Sequence, residues 1–181
     1  MSGDVPPAVG VVRVDGPDAD VPGLREELRE LWVAVTNAGG AVGFVPPVTG
    51  ADVEPDLEQV LSGVRAGALT LVGLRDADRM VAVAYLKRND HRLMRHWAWV
   101  IKVMVDPARQ GEGLGLRLMD AVADAAGTER LEALRLTARA GLGLERFYEQ
   151  AGYVEVGRVP GGIRVGPGED RDDVMFWREL G

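Results

Sequence analysis

The feature that most restricts how this chain can fold is a glycine-rich turn between an apolar run and an amphipathic helix. The run spans Trp97–Val105 and ends at Asp106-Pro107, where proline removes a donor from a sheet ladder. The turn follows at Gln110–Gly115. Apolar residues then recur with the helical period, at Leu114, Leu118, Met119, Val122 and Ala126. With Leu131–Ala138 as the next strand, this order predicts a right-handed βαβ unit with parallel strands.

Upstream of this unit, the hydrophobic pattern alternates between strand and helix. The β-branched run Val9–Val14 predicts a first strand. Two helical patterns follow, each with a glycine past its end, at Leu24–Val35 and Val53–Val64. The runs Ala68–Leu74 and Met80–Leu86 are joined by a short polar connection, so they predict an antiparallel hairpin.

Downstream, the pattern gives one more helix and two more strands. Leu142–Ala151 predicts the helix, whereas Tyr153–Val159 and Val174–Leu180 predict the strands. The Gly-, Pro- and Asp-rich stretch Gly161–Asp173 between them predicts a loop. The expected fold is therefore a mixed α/β domain, in which about four helices flank a mostly antiparallel sheet.

Length and charge narrow the classes of function. With 181 residues, the chain fits one domain over residues 1–181. Its 28 acidic and 21 basic residues give a net charge of −7, so neither nucleic acid nor a membrane is expected as a partner. The absence of cysteine excludes disulfides, thiolate metal sites and a cysteine nucleophile. Met1–Val9 has no signal-peptide pattern, so a cytoplasmic protein is expected.

The glycine-rich turn has the chemistry of an anion-binding site. Its glycines let backbone N–H groups converge, and the helix that follows adds free donors and the positive end of its dipole. A tight connection without a ligand is equally compatible with such a cluster. A P-loop is excluded, because Leu116 and Arg117 stand where Lys and Ser or Thr are needed. The dinucleotide fingerprint fits poorly, because Leu116 occupies the place of its third glycine.

The spacing within the turn resembles the signature of a known family. Gln110, Gly113 and Gly115 match the pattern Q/R-x-x-G-x-G/A of the GNAT superfamily of N-acetyltransferases. The resemblance runs in order over about residues 9–180 and is most specific from Trp99 to Tyr153. It implies that the strand before the turn splays from its parallel neighbour. It also implies that acetyl-CoA is the cosubstrate, bound in the resulting cleft, and that no metal is required.

By position, the resemblance assigns the coenzyme site mostly to main-chain groups. Val103 and Val105, which flank Met104, would bond the pantetheine arm and the acetyl carbonyl. The pyrophosphate would be held by Gln110, Gly111, Glu112, Gly113, Leu114 and Gly115. Side chains of the strand residues can pack in the core at the same time, so a core role and a backbone role are compatible.

A second match identifies the expected catalytic residue. Phe147–Tyr153 resembles the family's F/L-Y-E-x-x-G-F/Y signature, with Tyr148 in its second position. A phenol with an ordinary pKa near 10 is protonated at neutral pH, so it can donate a proton to the departing thiolate of coenzyme A. A helix tyrosine without this match is more often half-buried packing.

Two positions depart from the family pattern. Many members have a glutamate that takes a proton from the amine, and Trp99 stands at that position. The general base is therefore left open among a water chain and the side chains of His91, His96, Asp52, Glu54 and Asp56. A frequent asparagine is replaced by Gly141, which implies the loss of one coenzyme contact.

The expected acceptor residues are Phe44, Glu54, Trp97 and Trp99. The two tryptophans alternate to one strand face, where they either wall a pocket or fill the core. The segments Gly39–Phe44, Lys102–Val105 and Val156–Gly161 resemble the tabtoxin-resistance branch of the superfamily. This likeness implies a small-molecule amine as the acceptor, such as a toxin or an antibiotic.

The expected activity is direct transfer of an acetyl group to a primary amine of a small molecule. Two alternatives stay open. One is a non-catalytic acyl-CoA-binding sensor, which the absent glutamate and Gly141 favour. The other is a peptide or protein N-terminal acetyltransferase, which would need an open groove. The resemblance also implies a homodimer.

Overall fold

The computed structural model of the protein describes residues 9–181. Residues 1–8, which carry most of the stretch without a signal-peptide pattern, lie outside the described residues. The described elements are, in chain order, β1 (Gly10–Val14), α1 (Leu24–Asn37), α2 (Gly50–Arg65), β2 (Leu69–Asp76), β3 (Arg79–Arg88), β4 (Trp97–Val105), α3 (Leu114–Thr128), β5 (Ala133–Arg139), α4 (Leu144–Gln150), β6 (Val154–Gly166) and β7 (Glu169–Glu179).

The strands form one seven-stranded sheet in the order β1-β2-β3-β4-β5-β7-β6. Every neighbouring pair is antiparallel except β4 and β5, which are parallel. The parallel pair shares only three registered positions, from Trp97 opposite Ala133 to Trp99 opposite Arg135. Beyond Trp99 the two strands separate. The expected mixed α/β fold with a splayed parallel pair is thus confirmed.

Two hydrophobic layers hold the helices against opposite faces of the sheet. On one face, α1 and α2 bury a core that contains Trp32, Leu57, Tyr85 and Met104. On the other, α3 and α4 bury a core that contains Leu118, Leu136, Tyr148 and Phe176. Because alternate residues of a strand point to opposite faces, β4 contributes to both cores. No helix in residues 9–181 is long and apolar enough to cross a lipid bilayer.

The helix α2 shows how local chemistry sets an element boundary. Its N-cap is Thr49, and its third helical residue is Asp52, which accepts hydrogen bonds from the amide and the hydroxyl of Thr49 at 2.7 Å each. This capping box satisfies donors that would otherwise be unpaired at the helix start. Hydrogen bonds from the Thr49 side chain and amide lower the pKa of the Asp52 carboxyl. Asp52 is therefore a structural residue of the helix end.

The predicted loop Gly161–Asp173 is wrong. β6 and β7 form one long hairpin whose turn contains only the two residues between Gly166 and Glu169. Cross-strand ion pairs hold its outer half, among them Arg164 with Asp170 at 2.7 Å and Arg158 with Asp172 at 3.2 Å. The glycine-rich composition predicted a loop, but β6 accommodates its glycines at positions where the register with β7 shifts.

The remaining boundaries differ by a few residues. β2 continues to Asp76 and β3 begins at Arg79, so the turn between them contains two residues instead of the expected five, with Ala77 at a positive φ of 49°. α3 continues past Gly127 to Thr128, and α4 begins at Leu144 instead of Leu142. Ladder and helix hydrogen bonds extend beyond the apolar residues that mark an element in the sequence, which explains the longer strands.

Candidate active site

A cleft of about 670 Å³ opens where β4 and β5 separate. Its walls come from α1, the loop after α1, β4, the glycine-rich turn, the start of α3, β5 and α4. The lining residues are Val35, Gly40, Ala41, Val42, Gly43, Trp99, Val100, Ile101, Lys102, Val103, Val105, Arg109, Gln110, Gly111, Gly113, Leu114, Gly115, Leu116, Thr137, Leu144, Phe147, Tyr148 and Gln150. Both sequence motifs therefore meet in one cavity.

The wall formed by β4 is an open strand edge. Strand β5 pairs with β4 only as far as Trp99, so the following β4 backbone has no ladder partner on that side. Such an edge presents N–H and C=O groups that can pair with an extended ligand. Val103 and Val105 lie on this part of β4 and line the cleft.

A β-bulge distorts the same strand on its other side. Val83 of β3 faces Met104, whereas Tyr85 faces Ile101, so Lys102 and Val103 together oppose the single residue Ala84. Lys102 has a positive φ of 52°, which is uncommon for a residue with a side chain. The bulge directs Lys102 into the cleft lining.

The glycine-rich turn forms the end of the cleft next to α3. Gly111 and Gly113 have φ values of 87° and 77°, in the left-handed region that glycine adopts without steric cost. The first hydrogen bond of the helix runs from Arg117 N to Gly113 O, so the N–H groups of Leu114 and Gly115 have no helical partner. Unpaired donors and the helix dipole together favour a bound anion here.

Arg109 fixes the turn to the neighbouring hairpin. Its guanidinium contacts Asp76 of β2 at 2.6 Å and Glu112 of the turn at 2.7 Å. Hydrogen bonds to both carboxylates raise its pKa further above the ordinary value, so it stays charged. Arg109 lines the cleft, whereas Glu112 lies outside the lining.

Tyr148 reaches the cleft from α4. It is 6% exposed, and its ring packs against the rings of Phe147, Tyr153 and Phe176 at centroid distances of 5.0, 5.9 and 5.5 Å. Burial raises the pKa of its phenol above the usual range, because the charged phenolate would lose its hydration. A protonated hydroxyl at neutral pH is the form that a proton donor needs.

The opposite end of the cleft is centred on Lys102. Its Nζ donates to the carbonyl of Val42 at 3.1 Å, lies 4.8 Å from the ring centroid of Trp32, and is 3.5 Å from a carboxylate oxygen of Asp56. Trp32 Nε1 donates to the same carbonyl at 3.2 Å. The loop after α1 is therefore tied to α1 by Trp32 and to β4 by Lys102, through one shared acceptor.

Two tryptophans of β4 lie at the cleft or next to it. Trp99 lines the cleft, with the Arg135 guanidinium 4.4 Å from its ring centroid. Trp97 is 6% exposed and packs edge-on between Trp99 and Trp177, at centroid distances of 5.4 and 5.6 Å. Of the two proposed pocket tryptophans, Trp99 therefore lies at the cleft and Trp97 fills the packing behind it.

Several expected site residues lie outside the cleft lining. The Met104 side chain is buried in the core beneath α1 and α2, so only its neighbours Val103 and Val105 reach the cleft. Phe44 packs edge-on against Trp32 at 6.1 Å. Glu54 forms ion pairs with Arg25 and, at 3.8 Å, with Arg29. Each of these side chains thus has a contact outside the cleft lining: Met104 in the core, Phe44 with Trp32, and Glu54 with two arginines. Their assigned roles stay predictions.

The candidate bases are also placed away from the lining. Asp52 caps α2, and His91 accepts a hydrogen bond from Leu93 N at 3.3 Å in a short turn before β4. His96 and Asp56 are likewise absent from the lining. Among the described residues, the cleft lining contains no carboxylate and no histidine. Residues 9–181 also contain no cluster of His, Cys, Asp and Glu arranged to hold a metal ion.

Sequence reasoning missed several lining residues. Val35 and Thr137 carry no motif, and only the placement of α1 and β5 brings them to the cleft. Lys102 had a visible signal, since it is the one charged residue in the apolar run Trp97–Val105. Arg109 directly precedes the matched turn, so its position could have been added to the motif.

Comparison with known proteins identifies the family of the chain. Residues 53–162, more than half of the chain, match the acetyltransferase (GNAT) domain family. This region includes the open edge of β4, the glycine-rich turn and Tyr148.

Solved structures show the same fold at low sequence identity. A candidate GNAT-family acetyltransferase from Desulfovibrio desulfuricans is 19% identical, with a TM-score of 0.74 over 96% of this chain and 100% of that chain. A candidate phosphinothricin N-acetyltransferase is 18% identical, with a TM-score of 0.75 over 95% and 99%. A candidate acetyltransferase from Salmonella typhimurium, solved with its cofactor acetyl-CoA, is 16% identical, with a TM-score of 0.73 over 96% and 94%. The chain belongs to the GNAT acetyltransferase family, a family of acyltransferases that use acetyl-CoA.

Proposed function

We propose that this protein, acting as one domain over residues 1–181, transfers the acetyl group of acetyl-CoA directly to a primary amine of a small molecule. The observation that carries the proposal is the meeting of three groups in one cleft. These are the open edge of β4, the glycine-rich turn and the protonated Tyr148.

The residues of the cleft fit the parts of coenzyme A. The converging N–H groups of the turn suit the pyrophosphate, as at other glycine-rich helix starts. The unpaired backbone at Val103 and Val105 suits the amides of the pantetheine arm, which can pair with a strand edge. These assignments use main-chain groups and leave the Tyr148 hydroxyl free for chemistry.

Acetyl-CoA supplies the acetyl group as a thioester: the amine nitrogen forms the new C–N bond, the C–S bond breaks, and the sulfur leaves as a thiolate. Tyr148 would donate its phenolic proton to that sulfur and regain one from water. The amine nitrogen must also lose a proton. Since the cleft lining has no carboxylate and no histidine, water would accept that proton.

The end of the cleft at Lys102 lies away from the phosphate-binding turn, and we assign it to the acceptor. The structure of this acceptor end favours a small molecule. The loop Gly40–Gly43 is tied to α1 by Trp32 and to β4 by Lys102, which both donate to the Val42 carbonyl. A pinned loop narrows this end, whereas a peptide acceptor needs an open groove. A toxin or antibiotic amine, as in the tabtoxin-resistance branch, belongs to this proposal.

Thiol release from acetyl-CoA is the direct test. A thiol reagent reports only coenzyme A, because the protein has no cysteine. The panel would contain polyamines, aminoglycosides, amino acids, toxin-like dipeptides and peptide N-termini. Release with a small amine is the expected result.

Two other results would overturn the proposal. Release with peptide N-termini alone would replace the small-molecule acceptor by a protein acceptor. Acetyl-CoA binding, seen by calorimetry, without release on any amine would support a sensor in place of an enzyme.

A further inference from the structure

We propose that Lys102 selects acceptors that carry a carboxylate next to the reactive amine, so that the substrate class is amino acids and amino-acid-like amines. This inference rests on the proposed function and names the substrate class of the same site. It follows from the charges of the cleft and from the way in which the fold holds Lys102.

The charged residues of the cleft lining are both cations. They are Arg109 at the phosphate end and Lys102 at the acceptor end. Arg109 is neutralised by the two carboxylates of Asp76 and Glu112. The acceptor end therefore has a positive charge without a carboxylate in its lining. An acceptor whose only charges are positive, such as a polyamine, would be repelled there.

Backbone geometry and side-chain contacts position the Lys102 ammonium at this end of the cleft. The β-bulge and the positive φ of 52° turn its side chain out of the regular strand pattern. The Val42 carbonyl and the Trp32 ring then fix two sides of the ammonium. The side chain is 22% exposed, so one side stays accessible from the cleft. An ammonium has three N–H donors, and the Val42 carbonyl uses one of them.

Asp56 does not neutralise Lys102 firmly. The two charged groups are 3.5 Å apart, and the Asp56 side chain is 42% exposed. Exposed ion pairs of this kind contribute little free energy. A substrate carboxylate in the cleft can therefore take the place of Asp56 on Lys102.

Two arginines on β5 add to the positive field. Arg135 stacks on Trp99 at 4.4 Å, and Arg139 donates to the Gly39 carbonyl at 3.3 Å. Asp173 on β7 is registered opposite Arg139 and offsets part of that charge. Both arginines lie outside the cleft lining, so they contribute to this field only from behind it.

The test compares acceptors that differ only at the carboxylate. Each set contains an L-amino acid, its amide and its decarboxylated amine, for example phenylalanine, phenylalaninamide and 2-phenylethylamine, and the corresponding compounds of methionine. The amide controls for basicity: its amine is less basic than that of the acid and more of it is neutral. A preference for the acid therefore cannot come from the fraction of neutral amine.

The expected preference of the protein for the acid over the amide is about 10- to 100-fold in kcat/KM, as for a hydrogen bond to a charged group. Lys102→Gln should lower kcat/KM for the acid alone and bring the ratio near one, whereas Lys102→Arg should keep part of it. Lys87→Gln is the matched control, because Lys87 is exposed and is the only other lysine of the chain. It should retain the full preference.

A binding measurement separates this inference from the proposed function. Calorimetric titration of phenylalanine or methionine into protein saturated with free coenzyme A involves no turnover. Binding that is lost in Lys102→Gln, with unchanged coenzyme A affinity, supports the inference even if no amine is acetylated. Equal rates on acid, amide and amine would overturn it, while leaving the acetyltransferase intact. An equal loss on all three in Lys102→Gln would also overturn it, since Lys102 would then only anchor the loop.

Discussion

Gly115 and Phe147 approach so closely that a β-carbon on Gly115 would lie 2.9 Å from Cε2 of the Phe147 ring. Gly115 belongs to the first turn of α3, and Phe147 precedes Tyr148 on α4. The absent side chain therefore lets the start of α3 and the helix of the expected proton donor share one cleft. Gly115, the last glycine of the turn, therefore has a packing role in addition to its expected role in phosphate binding.

Gly115→Ala tests this contact. We expect the variant to lose about 1–3 kcal/mol of stability, as in other overpacked sites, and to bind coenzyme A more weakly. Thermal unfolding and calorimetric titration with coenzyme A would measure both effects. Gly127→Ala is the control in the same helix, because nothing lies within 4 Å of its β-carbon. There alanine should stabilise by up to about 1 kcal/mol. Equal unfolding temperatures of the two variants would contradict the packing argument.

Tyr148→Phe tests the proton donor. We expect turnover to fall by about 10- to 100-fold, at or below the lower end of the range for a lost general acid because water can also protonate the thiolate, with little change in acetyl-CoA affinity. Steady-state thiol release and coenzyme A titration would separate the two quantities. Tyr153→Phe is the matched control, since Tyr153 is buried in the same aromatic cluster but lies outside the cleft lining. Unchanged turnover in Tyr148→Phe would remove this hydroxyl from the mechanism.

Most of the fold could be predicted because its signals are local. The period of apolar residues gives β4, α3 and β5, and their order gives the parallel pair. The hairpin β6–β7 could not be predicted, because ion pairs such as Arg164 with Asp170 form only after the strands have paired. A composition rich in glycine and aspartate therefore gave the wrong element.

The same distinction between local signals and long-range contacts applies to the residues of the site. The glycine-rich turn and Tyr148 lie in contiguous motifs, so the sequence could locate them. From the sequence alone, Glu54 is compatible with an acceptor role. In the fold, α1 packs against α2, and Arg25 forms an ion pair with Glu54. The orientation of Lys102 depends on a bulge, and the register of β3 against β4 determines that bulge. Contacts between segments that are distant in the sequence could therefore not be predicted from the sequence.

Thr49→Ala tests the capping box of α2. We expect a loss of about 1 kcal/mol at neutral pH, as for other N-cap threonines. Thr49 lowers the pKa of Asp52, so the stability that Asp52 contributes is present above its unfolded pKa and is lost as pH falls through the lowered folded pKa. The difference from the unaltered protein should therefore shrink in acid. Thermal unfolding at neutral and acidic pH would show this.

The control for that variant is Thr128→Ala. Thr128 ends α3, and its hydroxyl donates to the Asp124 carbonyl at 3.0 Å without capping a helix start. Its unfolding temperature should differ little from that of the unaltered protein at either pH. A loss in Thr49→Ala that stayed constant into acid would show that the bond to Asp52 is not its cause.

The pH dependence of turnover tests the absence of a protein base. Water would take the proton of the amine, so kcat/KM should rise with pH and level off near the amine pKa of each acceptor. Tyr148 must be protonated to act, and such a group loses activity only as pH rises through its pKa. Because burial raises that pKa, no decline from Tyr148 is expected in the ordinary alkaline range.

The pH profiles of two acceptors with different amine pKa values distinguish water from a protein group as the base. We expect the midpoint of the profile to move with the acceptor, because the titrating group is on the substrate. The double variant His91→Gln and His96→Gln should keep both midpoints, since neither histidine lines the cleft. A midpoint common to both acceptors, near the ordinary histidine pKa of about 6.5 and lost in the double variant, would instead assign the base to the protein. The substrate amine would then reach the thioester as an ammonium, and one of the two histidines would have to move toward the cleft to deprotonate it.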